Sequence, residues 1–192
     1  MSRFVTPKRY VNPATKANET LSKCGTPRMP NGCAIDVQHI ARVFCKVELM
    51  FIAGLNPSGK PLLGLFSPTL NAIMVESDCI EVRQRFTIAH EIGHIELEHE
   101  QGNAKPLFEL DQQETFECTE ADEKLGVTED SKAGLRRRRE IRANQFAASL
   151  LMPEGLVREV WRKEQRDRDR VANTLLVSKE ALGYRLADLQ LA

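Results

Sequence analysis

What this chain has little of narrows its chemistry first. Neither sign of charge is in excess: 27 basic side chains face 27 acidic ones, for a formal net charge of zero. No global field is then available to draw in nucleic acid or an anionic membrane. No apolar run approaches the roughly 18–20 residues that a membrane-spanning helix needs, so no span is expected. Met1 to Pro7 lacks an apolar signal-like core, and a cytoplasmic location is the expectation. Cysteine is sparse. Cys24, Cys33, Cys45, Cys79 and Cys118 form no C-x-x-C pair, and their odd number argues against a disulfide framework. Reduced thiols fit that set best.

What is present suffices for a packed globule. Apolar residues make up 42% of 192 and charged residues 28%, a balance that excludes wholesale disorder. That length gives one domain, or one domain with a small appendage. Residues 1–32 hold Pro7, Pro13, Gly25, Pro27, Pro30 and Gly32 with little periodicity, and read as an irregular arm. The spacing of apolar residues predicts an amphipathic helix over 34–46. Strands are expected over 47–53, 62–66 and 72–75, with Asn56-Pro57-Ser58-Gly59 as a turn. Residues 81–98 read as a helix with apolar residues on two sides, hence one packed between a sheet and a second helical layer.

That helix contains His90-Glu91-Ile92-Gly93-His94, an H-E-x-x-H sequence. Imidazoles four apart lie one turn above each other on one face and can reach a single cation. The Glu between them stands where it can take a proton from water held at that cation. Two ligands do not make a catalytic site, so a third must come from elsewhere. His99 does not fit a third-histidine pattern, because Leu97 stands where the turn-making Gly is needed and Glu100 where the ligand is. His39 sits in an amphipathic stretch and reads as a surface histidine. Glu140 is the stronger candidate. It opens a helical pattern that runs to Met152 and stops at Pro153, and Asn144 follows one turn later on the same face. From there Asn144 could bond a ligand histidine's other nitrogen and fix its tautomer.

Two charge runs separate the motifs. Seven acidic residues and no basic one lie between Pro106 and Glu123, then Arg136 to Arg139 are basic. Both read as solvated faces, with a flap beside the cleft as the alternative for residues 101–139. Helices are also expected over 156–164, over 171–176, and from Ser178, as N-cap, to Leu189.

The stretch Arg85-Phe86-Thr87-Ile88-Ala89-His90-Glu91-Ile92-Gly93-His94 resembles the active helix of the ImmA/IrrE family of metallopeptidases. Residues 140–153, E-I-R-A-N-Q-F-A-A-S-L-L-M-P, resemble that family's second motif, and residues 177–186 its closing segment. The resemblance implies a gluzincin-like site, with His90, His94 and Glu140 on zinc and Glu91 as general base. Manganese suits the same donors. It also implies a bacterial or phage setting and a protein substrate, a helix-turn-helix repressor of the Xre type cut to release its operon. Two departures stand out: Arg142 replaces an acidic residue common in the family, and the gap between the motifs is long.

The expected fold is α+β. It comprises the arm (1–32), a zincin-like domain (33–153) with a short three-stranded sheet on the metal-binding helices, and a C-terminal helical segment resembling helix-turn-helix (154–192). The strand at 72–75 is expected to be an edge that could pair with an extended substrate. The alternative function is a non-proteolytic, antitoxin-like module acting on a repressor or DNA. Direct DNA contact is disfavoured, because residues 178–189 offer few side chains for base edges beyond Lys179 and Arg185.

Overall fold

The computed structural model describes residues 11–30, 32–55, 62–99 and 132–191. The acidic run, the expected turn at 56–59 and residues 1–10 lie outside them. The architecture is α+β, a three-stranded mixed sheet with helices.

The first difference from expectation is at the N-terminus. Residues 13–23, expected to be irregular, form helix α1 (Pro13–Lys23). Pro13 is at the start of the helix, where its missing N–H is no loss. Asn12 caps it, its side-chain oxygen accepting from Ala14 N at 2.9 Å and Thr15 N at 3.3 Å. The expected helix over 34–46 is shorter and wider. A single turn, α2 (Val37–His39), is capped by Asp36 and passes into a π-helical turn at Ile40–Phe44.

The three strands are β1 (Glu48–Ile52), β2 (Gly64–Ser67) and β3 (Ala72–Glu76), in the order β1-β3-β2. β1 pairs with β3 in parallel, Glu48 opposite Ala72, and β2 pairs antiparallel, Gly64 opposite Val75. The expectation that residues 72–75 form an edge is therefore overturned. The run Ala72-Ile73-Met74-Val75 is apolar on both faces, as a central strand requires, and three of the four are buried.

Helix α3 (Glu81–His99) packs on β2 and β3 on one side, and against α1 and α4 (Lys132–Leu151) on others. α4 starts eight residues before Glu140, so Arg136 to Arg139 belong to it rather than to a loop. Pro153 separates α4 from α5 (Glu154–Lys163). Then come α6 (Arg168–Leu175) and α7 (Lys179–Asp188), with Ser178 Oγ accepting from Ala181 N at 3.1 Å as N-cap.

One apolar cluster runs from Ile88 and Ile92 of α3 through Phe146 and Leu150 of α4 to Trp161, Leu175 and Leu186. Two buried arginines tie the C-terminal helices to it. Arg85 of α3 donates to Leu176 O (3.2 Å) and Ile35 O (2.8 Å). Arg185 of α7 donates to Met152 O, just past the end of α4, at 3.0 Å. That carbonyl has no partner within the helix, so the arginine satisfies it.

Candidate metal centre

His90 and His94 lie on consecutive turns of α3 with ring centroids 4.6 Å apart and planes at 78°. Their Nε2 atoms are 2.9 Å apart. Opposite them, α4 presents Glu140. Its Oε2 is 3.0 Å from His90 Nε2 and its Oε1 is 3.2 Å from His94 Nε2. Sequence reasoning names these three residues, and the fold brings them together from helices more than forty positions apart in sequence. Among the described residues they are the group of three that could hold a metal ion.

The donor set fits a cation on chemical grounds. Hydrogen bonds at all three contacts would each need a proton, and the two Nε2 atoms share room for one at most. A single ion accepts a lone pair from each donor instead. Tetrahedral zinc with donors at about 2.0–2.1 Å spaces them about 3.3 Å apart, close to the 2.9–3.2 Å seen here. The N/N/O set suits zinc or manganese and does not choose between them.

Asn144, one turn beyond Glu140, places Oδ1 at 2.8 Å from His90 Nδ1. An amide oxygen only accepts, so Nδ1 carries the proton and Nε2 is left with its lone pair toward Glu140's side of the cleft. Burial by itself would push the Glu140 carboxyl up. With no metal bound the two imidazoles can instead donate from Nε2 and carry charge, which outweighs burial and holds the group well below the usual carboxylate range.

Glu91 points from the same helix and is 9% exposed. Among the described residues its side chain has no ion-pair or hydrogen-bond partner. A carboxylate that is buried yet uncommitted is available to a water or a substrate. His39 is exposed and takes no part in the cluster; the His99 side chain lies outside the described residues.

Sequence reasoning does not reveal the supports around this centre. Arg142, two positions past Glu140, donates from Nη2 to Val11 O at 2.8 Å and fastens the start of α1 beside α4. At the far end of α3, Glu96 Oε2 lies 3.6 Å from Lys16 Nζ and 3.4 Å from Thr20 Oγ1. Lys16 and Thr20 stand four apart on α1, a spacing that marks a shared face once a helix is recognised there.

No curated protein matches the chain. A transcriptional regulator from Mycobacterium tuberculosis has a similar fold, with a TM-score of 0.63 at 14% identity over 93% of this chain. The chain spans 47% of that protein's length. Residues 63–187 match the IrrE N-terminal-like domain, and this stretch includes α3 and α4. On that match, the chain belongs to the Peptidase M78 family.

Proposed function

We propose that the chain is a metal-dependent endopeptidase, with His90, His94 and Glu140 as metal ligands, Glu91 as general base and Asn144 as the residue that orients His90. The observation that carries this reading is the meeting of two imidazole nitrogens and one carboxylate within 3.2 Å, from α3 and α4. Zinc bound there would acidify water and draw charge from a carbonyl oxygen. Glu91 takes the proton from the water as its oxygen attacks the scissile carbonyl carbon. The C–N bond breaks, and Glu91 returns the proton to the departing amine.

An extended substrate needs a strand edge near the metal helix. β3 is central and excluded. β2 has only β3 as a neighbour among the described residues, and its Gly64 lies against Thr87, one turn before His90 and Glu91. The outer edge of β2 is therefore the place for a peptide to add by backbone hydrogen bonds.

A helix-turn-helix repressor is the substrate that the family resemblance favours, cut at a specific bond to release its operon in the cytoplasm of a bacterial host. The Mycobacterium tuberculosis protein of similar fold is named a transcriptional regulator, which supports a link to transcription. The same link suits a regulatory module that binds a repressor without cutting it. DNA reading by α7 is disfavoured, because Arg185 is buried on Met152 O and only Lys179 remains as an exposed cation on that helix. One experiment separates the readings. The zinc-loaded protein is incubated with a repressor encoded beside it, next to Glu91→Gln. The peptidase reading expects cleavage by the wild type, and an intact repressor with full zinc content in the variant. Equal cleavage by both would remove Glu91 as base. Binding without cleavage by the wild type would leave the regulatory reading.

A further inference from the structure

Helices α3 and α4 meet along short side chains. Ala89 on α3 and Ala143 and Ala147 on α4 are fully buried, and Gly93 is buried between them. A β-carbon at Gly93 would stand 3.1 Å from Phe146 Cδ1, 3.2 Å from Ala143 O and 3.3 Å from Ala143 Cα. All three are tighter than ordinary contacts of a β-carbon, so the neighbours would have to give by a few tenths of an ångström. Two of the three atoms are α4 backbone. The third belongs to a ring that is itself fully buried and close-packed.

The position of this contact matters more than its tightness. Gly93 directly precedes His94, and Ala143 lies one turn past Glu140. A side chain at 93 would press on the segment of α4 that carries the carboxylate. Metal–ligand distances hold to within about 0.2 Å, so a shift of a few tenths of an ångström is enough to loosen a ligand. Glycine is also a poor residue for the middle of a helix, and alanine would favour the helix itself.

We propose that Gly93 is a positioning residue for the metal centre: its missing side chain sets the α3–α4 separation at which the Glu140 carboxylate reaches the His90 and His94 imidazoles. The proposal rests on the reading of those three residues as ligands. Both histidines stay on α3 whatever α4 does, so enlarging position 93 removes the carboxylate selectively.

The test compares Gly93→Ala with the wild type, measuring zinc affinity against a chromophoric chelator and the d–d absorption of the cobalt(II)-loaded protein. Circular dichroism of the metal-free chains checks the helices. Gly93→Ala is expected to keep its helix content, bind zinc at least about tenfold more weakly, and give a cobalt spectrum matching that of Glu140→Ala. Phe146→Leu in the same background withdraws the nearest obstacle and restores part of the affinity. Wild-type affinity and an unchanged cobalt spectrum in Gly93→Ala overturn the proposal. If that variant does not fold, the double variant is compared with Phe146→Leu alone, and equal zinc affinity in those two overturns the proposal in the same way. A wild type that binds no metal, or a His90→Ala variant that binds it as well, instead overturns the ligand reading beneath it.

Discussion

Asn144 Oδ1 sits 2.8 Å from His90 Nδ1, on the turn of α4 that follows Glu140. One helix thus supplies both the carboxylate that faces the imidazole's Nε2 and the amide that holds its other nitrogen. An amide oxygen fixes which nitrogen is protonated and which way the ring faces. Replacing it with Asn144→Ala leaves the ring free to rotate and to adopt the other tautomer. Zinc affinity is expected to fall by about 10- to 100-fold with the fold intact. A chelator competition that finds no change would show that His90 is oriented by packing alone.

Arg85 is the buried cation of α3, 2% exposed. Burial lowers its pKa, while the charges of Glu81 and Asp36 act against that. Its bonds to Ile35 O and Leu176 O join three segments distant in sequence. Arg85→Met keeps much of the bulk but removes the side-chain donor from Leu176 O and leaves Ile35 O with Val37 N at 3.1 Å, at a cost of about 3 kcal/mol with the lost buried charge. Urea unfolding should show that loss as a lower midpoint with the same slope. A change below about 0.5 kcal/mol would place Arg85 among neutral positions.

Local periodicity explains what is legible in the sequence. The helix that carries His90 and His94 is expected over 81–98 and spans Glu81–His99, because 3.6-residue spacing is written within the segment itself. The pairing of Glu140 with Asn144 on one face follows from the same spacing. Order within the sheet is a different matter. Strand neighbours are chosen by pairing between segments far apart, so the central place of β3 cannot be read from its ends. α1 escapes a reading that counts Pro13 as a breaker; weighed with Asn12, the same proline marks a helix start. The early start of α4 is hidden by four arginines, which read as a solvated run but are compatible with helix. The π-turn at Ile40–Phe44 leaves no periodic mark, since one widened turn shifts the register of everything after it.

Cys45 is half-buried beside Phe44 and the core, and burial, aided by the charge of Glu96, pushes its thiol up to about 12. The thiolate is the reactive form, so Cys45 is silent at neutral pH. Iodoacetamide at a pH of about 7.5 should modify it far more slowly than a thiol of unperturbed acidity of about 8.5. Peptide mapping of the folded chain measures this directly, and early labelling at Cys45 would contradict the burial seen here.

Glu76 ends the central strand with its carboxylate turned onto backbone. Oε1 accepts from Gly54 N and Asp78 N at 3.1 Å each, and Oε2 accepts from Leu55 N at 2.6 Å. These bonds, led by that from Asp78, outweigh the loss of solvent and lower its pKa from the ordinary carboxylate value. The sign for stability follows. A group with a depressed folded-state pKa binds protons more readily when unfolded, so its contribution is complete above the unfolded value of about 4.3. It is lost as pH falls through the lower, folded value. Glu76→Gln cannot accept at both positions and should be less stable than the wild type at a pH of about 6. Their urea midpoints should converge as pH is taken from about 4.5 toward 3. A gap that stays constant over that range would mean the carboxylate charge contributes nothing, and that the loop at Gly54 and Leu55 is held by shape alone.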